Sequence, residues 1–199
     1  MTIVNYDPRI LKAPHPVPGA PDNWKRFFSF NTDAKVIGIQ YMVTSLFFLL
    51  VGGLLAMIVR GELITPPAEL VDPSVYNGLY TMHATVMLVL FLFPILNGFN
   101  NLLIPPMIGA PDMAFPKLNA VAFWIVPVFA AVLMGSFFAP GGPASSGWWS
   151  YPPMSIQNPL GHFINGEFLW ILAVALSGIS SSMGDVNVVT TILRMRAPG

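Results

Sequence analysis

The sequence predicts an all-α membrane protein with four transmembrane helices, and three observations support this fold class. Of the 199 residues, 54% are apolar and only 9% are charged, whereas soluble domains carry about 25% charged residues. The mean hydropathy is +0.66. The apolar residues form four continuous stretches, each long enough to cross a bilayer, which takes about 20 residues. These stretches lack the alternation that is typical of transmembrane β-strands.

The four predicted helices cover residues 36–59, 75–104, 118–138 and 163–193. Pro94 and Pro127 lie inside the second and third of them. Proline breaks most soluble helices, but neighbouring helices in a membrane bundle can satisfy the freed carbonyl groups. Residues 1–33 are polar and rich in proline, without the apolar core of a signal peptide. We therefore expect a polar cytoplasmic tail over residues 1–33 and a membrane domain over residues 34–199.

Net charge and cysteine content exclude several kinds of function. Nine Lys and Arg residues balance nine Asp and Glu residues, so the chain lacks the basic excess of a nucleic-acid-binding protein. The sequence contains no cysteine. Disulfides, thiolate zinc sites and iron–sulfur clusters are therefore excluded within this chain.

The distribution of basic residues predicts that both termini face the cytoplasm. Only Arg60 lies in the first loop, and the third loop contains no Lys or Arg. The other eight basic residues precede the first helix, lie in the second loop or end the chain: Arg9, Lys12, Lys25, Arg26, Lys35, Lys117, Arg194 and Arg196. Because cytoplasmic loops carry the excess of Lys and Arg, we expect an N-in/C-in topology with the first and third loops outside.

His83 is the one histidine inside a predicted membrane helix. It lies eight residues from the outer end of the second helix, a depth of about 12 Å. Neutral imidazole binds iron or copper well, so His83 is a candidate metal ligand. A structural hydrogen bond from His83 to a neighbouring helix explains the residue equally well. His15 lies in the tail and His162 at the outer rim. A six-coordinate haem on His83 therefore requires a second ligand from outside this chain.

Polar side chains are concentrated towards the cytoplasmic half of the predicted bundle. The second helix ends with Asn97, Asn100 and Asn101, and Asp112 and Asn119 follow. In the fourth helix, a spacing of three or four residues puts small and polar side chains on one face: Ser177, Ser180, Ser181, Gly184 and Asn187. This face predicts close packing through small residues. The same face could also line a hydrated proton path, in which Asp112 would be the acid at the entrance.

Asp185 is a carboxylate inside the fourth predicted helix. A charged side chain at the centre of a membrane helix costs about 2.5–3.5 kcal/mol on insertion scales. We therefore hypothesise that Asp185 is protonated, or paired with a channel group such as Asn187.

Five segments, taken together and in order, resemble subunit I of the haem–copper oxidases, the cytochrome c oxidase family. The most specific is IGAPDMAFPKLN over residues 108–119. The loop segment GWWSYPP over residues 147–153 is similar to cyanobacterial forms. The others are KVIGIQY, YTMHA and LSGISSSMGDVNVVTTILRMRAPG, which begin at residues 35, 80 and 176. The resemblance implies that this chain corresponds to the N-terminal part, the first third, of a twelve-helix subunit I bundle.

The resemblance also implies roles for individual residues. His83 matches the axial ligand of a low-spin haem of a or b type, and Arg60 matches an arginine that tunes this haem. Asp112 matches the entrance acid of the aspartate proton channel. The residues that match the lining of that channel are Tyr41, Asn101, Asn119, Ser177, Ser180, Ser181 and Asn187.

The function implied by the resemblance is that of a terminal respiratory oxidase. Such an enzyme passes electrons from cytochrome c through the low-spin haem to a high-spin haem and copper B, and reduces O2 to water with proton uptake and pumping. The oxygen-reducing centre is expected outside this chain. The implied partners are the remaining helices of subunit I, subunits II and III, and cytochrome c. The implied location is the bacterial plasma membrane or the thylakoid membrane. A quinol-oxidising relative and a catalytically inactive or assembly-related membrane module remain as alternatives.

Overall fold

The computed structural model describes residues 24–64, 70–156 and 161–197. Within these ranges, four helices are long and apolar enough to span a membrane, which confirms the predicted fold class. They are α1 (Ala34–Glu62), α2 (Pro73–Ile108), α3 (Pro116–Phe138) and α4 (Gly166–Arg194). Arg9 and Lys12, which entered the orientation argument, and His15 lie outside the described residues.

Capping residues set the ends of the helices, which differ by a few residues from the ends of the predicted apolar stretches. The Asp33 carboxylate accepts a hydrogen bond from the Lys35 N–H at 2.8 Å and so caps α1. At the start of α4, the Asn165 side-chain oxygen accepts a hydrogen bond from the Phe168 N–H at 2.9 Å and so caps this helix. The second helix ends at Ile108 and is capped by Gly109, whose φ of 70° is the left-handed conformation that favours glycine at helix ends.

The second helix changes its winding just before a proline. Residues Val86–Leu92 form a π-helical segment between two α-helical ones, and the Phe93 N–H bonds to the Leu88 carbonyl five residues earlier. Pro94, the second residue of the following α-helical segment, has no N–H and crowds the preceding turn. The wider π-turn makes room for the ring, and the helix continues to Ile108.

Glycines bring α1 and α2 into close contact at two levels. A Cβ on Gly98 would lie 3.1 Å from the Gly38 carbonyl oxygen, so the two backbones touch there. Near the other end, a Cβ on Gly52 would lie 2.6 Å from the Met87 sulfur. Small residues of this kind let membrane helices approach closely. The α3 helix packs along α4 in the same antiparallel manner, and the two pairs enclose a core that includes Tyr41, Met82, Leu90, Phe129 and Leu133.

Hydrogen bonds hold the segment between α3 and α4 against the first half of α2 and the start of α4. The Gly147 N–H donates to the Thr81 hydroxyl at 3.1 Å. Ser146 and Ser150 both donate to the Glu167 carboxylate at 2.6 Å. These hydrogen bonds hold the segment against the part of α2 that carries His83.

Candidate functional site

His83 lies in α2 at the level where this helix approaches α1. Its Nδ1 atom lies 2.9 Å from the backbone carbonyl oxygen of Gly52. A carbonyl oxygen can only accept a hydrogen bond, so Nδ1 carries a proton, and in a neutral imidazole Nε2 then holds the lone pair. Metal-binding histidines commonly donate their other ring N–H to a carbonyl in this way. No hydrogen bond reaches Nε2 within the described part of the chain, so this nitrogen suits an axial ligand to haem iron.

Gly52 makes this geometry possible, and the sequence-based site did not include it. The residue is buried, and the contact with Met87 leaves no room for a side chain between α1 and α2. Its carbonyl therefore reaches the imidazole ring directly. The sequence does contain a signal for this contact. Gly52 and Gly53 are adjacent in an apolar helix, and small residues of this kind indicate a close crossing of two membrane helices.

Arg60 lies on α1 towards the same end of the bundle. It is exposed and stands eight residues beyond Gly52, a distance of about 12 Å along the helix. Two residues later, the buried Glu62 carboxylate accepts a hydrogen bond from the Val71 N–H at 3.1 Å. Arg60 therefore lies in the same half of α1 as Gly52, the residue that His83 contacts.

Asp112 lies in the loop between α2 and α3 and is buried against the start of α1. Its carboxylate accepts hydrogen bonds from the Met113 N–H at 2.7 Å and the Ala34 N–H at 3.2 Å. Burial raises the pKa of Asp112 to about 6, although the two N–H donors and Lys35 act in the opposite direction. The carboxyl group therefore anchors the loop to the first turn of α1, and it can exchange a proton near neutral pH.

Three asparagines link α2 to α3 beside this loop. The Asn119 side chain donates to the Asn101 side-chain oxygen, and the Asn101 amide donates to the Asn97 carbonyl at 2.9 Å. All three side chains are buried. A Cβ on Gly184 would lie 2.9 Å from the Asn97 side-chain oxygen, which shows that this amide faces α4. The structure therefore brings Asn97, Asn101 and Asn119 together, whereas Asn100 is only half-buried.

Asn187 and Thr191 on α4 hold the other side of the same loop. Asn187 is fully buried and accepts from the Phe115 N–H at 2.8 Å. The Thr191 hydroxyl accepts from the Ala114 N–H at 2.9 Å. Thr191 was not among the predicted residues, although it continues the spacing of Gly184 and Asn187 by one more turn.

The polar face of α4 continues towards the centre of the bundle. The Ser180 hydroxyl donates to the Ala122 carbonyl at 2.7 Å and interacts with the buried Tyr41 side chain. Ser177 is also buried and donates to the Val174 carbonyl of its own helix at 2.8 Å. Ser181 is half-buried at the edge of this face. Both hydroxyls therefore donate to backbone carbonyls, Ser177 within α4 and Ser180 across to α3, and the hydrated path stays a prediction.

Asp185 lies outside this polar group. It is exposed on α4, while Asn187 is buried and engages both backbone groups of Phe115. The hypothesis that Asp185 pairs with Asn187 is therefore wrong, because residues two apart on a helix point in different directions.

The described residues contain no group of three or more His, Cys, Asp or Glu side chains that could hold a metal ion. His83 offers one imidazole nitrogen, which could serve as one of the two axial ligands of a haem iron. A second ligand to a haem iron would come from outside these residues.

The fold is that of a multi-pass helical membrane protein, with His83 within α2 and buried polar side chains where the loop between α2 and α3 meets α1 and α4. A family model described as Cytochrome C and Quinol oxidase polypeptide I matches residues 36–199. The chain belongs to this family.

Curated relatives agree with this assignment. The chain is 46% identical over 191 residues to cytochrome c oxidase subunit 1 of Thermostichus vulcanus, covering 94% of this chain and 34% of the relative. It is 48% identical over 186 residues to cytochrome c oxidase subunit 1 of Synechocystis sp., covering 94% of this chain and 32% of the relative. The chain therefore spans about a third of the length of the curated relatives it matches.

Proposed function

We propose that this chain forms part of the catalytic subunit of a terminal respiratory oxidase. The complete enzyme would transfer electrons from cytochrome c and reduce O2 to water, coupled to proton uptake and pumping. The observation that carries the proposal is the His83–Gly52 hydrogen bond, because it fixes the tautomer that leaves Nε2 available to iron. The family and the names of the relatives support the reaction class.

His83 would supply one axial ligand to a low-spin haem of a or b type. When bound, this haem supplies one-electron transfer between the electron donor and the oxygen-reducing centre. The chain's own contribution is to hold the imidazole through Gly52 and to place the Arg60 cation at the same end of the bundle. A positive charge near the haem favours its reduced form. The high-spin haem and copper B would be held by the rest of subunit I.

Protons would enter at Asp112 and pass along the polar side chains between α2, α3 and α4. Support comes from the raised pKa of Asp112 and from the Asn101–Asn119 pair beside it. Above this pair, Ser180 and Tyr41 continue the polar sequence. Hydroxyl and amide groups at such positions can hold bridging waters. Asn187 would act by fixing the loop that presents Asp112.

We also propose an N-in/C-in orientation in a bacterial plasma or thylakoid membrane. Lys35 lies in the first turn of α1, Lys117 lies in the first turn of α3 and Arg194 ends α4, and these positions lie at one end of the antiparallel bundle. Arg60 lies at the opposite end. The positive-inside rule then places Asp112 on the cytoplasmic side and His83 near the outside. The partners would be the remaining helices of subunit I, subunits II and III, and cytochrome c.

The test is the reduced-minus-oxidised spectrum of the oxidase complex isolated from its native membranes. His83→Ala should remove the low-spin haem band and lower the haem-to-protein ratio. His162→Ala is the matched control, because His162 is exposed in the outer loop and should leave the band unchanged. A normal low-spin band in His83→Ala would contradict the proposal and would favour an assembly-related module. Comparing reduced cytochrome c with a quinol as donor separates the two branches of the family.

A further inference from the structure

The Glu167 carboxylate lies in the first turn of α4 and accepts two short hydrogen bonds from the segment that precedes this helix. The Ser146 and Ser150 hydroxyl groups each donate to the same oxygen atom, Oε1, at 2.6 Å. This length is typical of hydroxyl donors to an ionised carboxylate. Each serine hydroxyl has one proton to donate, and both direct it to Glu167. The three side chains therefore form one hydrogen-bonded cluster, which we call the Glu167 cluster.

The Glu167 cluster holds both ends of a tight turn over residues 147–150. The Ser150 N–H closes this turn by donating to the Gly147 carbonyl at 3.3 Å. Ser150 has a φ of 46°, in the left-handed region that residues with a side chain rarely adopt. Its hydroxyl bonds to Glu167, and Ser146 bonds to the same carboxylate just before the turn begins. The carboxylate therefore stabilises a backbone conformation that is unfavourable for serine.

The same segment packs directly on the start of α4. A Cβ on Gly166 would collide with the Gly142 carbonyl oxygen, so no side chain fits between the two backbones. Pro143 and Gly166 also pair as an isolated β-bridge. Glu167 is the next residue, and this close approach brings its carboxylate within reach of the two serines.

The 147–150 turn contacts α2 through two threonines that lie one helical turn apart. The Gly147 N–H donates to the buried Thr81 hydroxyl at 3.1 Å. The Trp148 ring packs edge-on against Trp170, with 5.6 Å between the ring centroids. The Trp170 Nε1 atom donates to the buried Thr85 hydroxyl at 2.8 Å. The turn and α4 thus hold the same part of α2 together.

These contacts lie on the face of α2 opposite to His83. Thr81 and Thr85 are four residues apart and share one face, whereas His83, two residues from each, is rotated by about 200° from them. On its own side, the His83 Nδ1 atom bonds to the Gly52 carbonyl of α1 at 2.9 Å. Because α2 is held from two opposite sides, its rotation about its own axis is fixed.

We propose that Glu167 is a positioning residue for the His83 imidazole, an inference that rests on the proposed haem ligation. The carboxylate holds the 147–150 turn through the two serines, and the turn holds Thr81. Without the carboxylate, the turn loosens and α2 loses one of its two lateral contacts. The direction of His83 Nε2 then becomes less well defined, which changes the environment of the iron that it would bind.

The experiment substitutes Glu167 in the oxidase complex isolated from its native membranes and measures two quantities. Hydrogen exchange of the Gly147 amide reports on the turn. The g values in the electron paramagnetic resonance spectrum of the oxidised low-spin haem report on the orientation of the axial imidazole. Glu167→Ala should accelerate the exchange about tenfold or more and shift the g values. Glu167→Gln keeps an acceptor oxygen without the charge, so both changes should be smaller.

Substitutions of the serines separate the cluster from the start of the helix. An acid in the first turn of α4 also interacts favourably with the helix dipole, and a combined Ser146→Ala and Ser150→Ala variant leaves that interaction intact. This double variant should reproduce both effects of Glu167→Ala. Ser145→Ala is the matched control, because the Ser145 side chain makes no hydrogen bond within the described ranges. It should match the wild type in both measurements.

Three outcomes would overturn the proposal. Unchanged Gly147 exchange in Glu167→Ala would show that the carboxylate does not hold the turn. Wild-type g values together with faster exchange would show that the turn does not position His83. Effects of Glu167→Ala that the double serine variant does not share would assign Glu167 to the start of α4 alone. Absence of a low-spin haem signal from the wild type would instead contradict the proposed haem ligation, so the two failures are distinguishable.

Discussion

The Nδ1 atom of His83 donates a hydrogen bond to the carbonyl oxygen of Gly52, which lies 2.9 Å away on the neighbouring helix. This bond joins α1 to α2 at a point where no side chain larger than hydrogen fits on α1. It determines the tautomer of the imidazole and the direction of Nε2. The chemistry that we propose for the chain therefore depends on a backbone atom of a glycine.

Substituting Gly52 with alanine should disturb the His83 imidazole that we propose as a haem ligand. The new Cβ would lie 2.6 Å from the Met87 sulfur and 3.3 Å from Val86, so the Met87 side chain must move or α1 and α2 must separate. Overpacking of this kind costs about 1–3 kcal/mol. We expect a lower haem-to-protein ratio and a lower melting temperature of the complex.

Gly53→Ala is the control for this substitution, because a Cβ at Gly53 meets no atom within 4 Å. Alanine also has the higher helix propensity, so this variant should keep its haem and be at least as stable as the wild type. Equal haem loss in both variants would show that the Gly52 contact has no special role.

Asp112→Asn should remove a pH dependence of stability and keep the fold. The asparagine oxygen can still accept from Ala34 and Met113. In the wild type, the pKa of Asp112 in the folded state is about 6, above its usual value of 3.8. The folded state therefore binds the proton more tightly than the unfolded state does. This group contributes stability that is fully present below about pH 4 and is lost as the pH rises through 6.

The measurement compares the melting temperatures of wild type and Asp112→Asn between pH 4 and pH 7. The stability of the wild type relative to the variant should fall by on the order of 3 kcal/mol across this range. Parallel curves for the two proteins would contradict a raised pKa at Asp112. Under the proposed function, the variant should also lose proton uptake while the low-spin haem band stays normal.

The buried Asn101–Asn119 pair should behave as one unit. Asn119→Leu removes the donor and leaves the Asn101 oxygen unpaired, at a cost of about 1–3 kcal/mol. Replacing both residues with leucine should cost less than the sum of the two single changes. A double-mutant cycle on the free energy of unfolding measures this coupling, which we expect between about 0.5 and 3 kcal/mol. Strict additivity would mean that the two side chains do not interact.

Asn187 and Asp185 should differ sharply despite their proximity in sequence. Asn187→Leu removes the acceptor of the Phe115 N–H and loosens the loop that presents Asp112. Hydrogen exchange of the Phe115 amide should then accelerate about tenfold or more. Asp185→Ala should leave this exchange rate unchanged, because Asp185 is exposed on another side of α4. Faster exchange in Asp185→Ala would show that the two residues are coupled after all.

The number and positions of the four membrane helices follow from hydropathy, because apolar stretches of this length have no other stable arrangement in a bilayer. Their ends do not, since α1 begins after the polar cap Asp33, two residues before the predicted stretch, and the cap Asn165 lies inside the predicted stretch 163–193. The π-helical segment before Pro94 was also not predicted. It depends on how the helix accommodates one ring, which a count of apolar residues does not show.

The sequence predicted which residues belong to the candidate site, but it predicted only part of how they are arranged. Spacing placed Ser177, Ser180 and Asn187 on one face of α4, and all three are buried. Spacing could not show that Asn187 bonds to the Phe115 backbone, because that contact joins residues 72 positions apart. Gly52 escaped notice because its contribution is a carbonyl group, which every residue carries.

The most direct test of the central claim, that His83 Nε2 is an axial ligand to a haem, is chemical rescue of His83→Gly with imidazole. The variant removes the ring and leaves space for a free imidazole at the same position. The account predicts that the low-spin haem spectrum of the complex is lost and that added imidazole restores it in a saturable manner. A low-spin spectrum that persists in His83→Gly without imidazole would contradict the account.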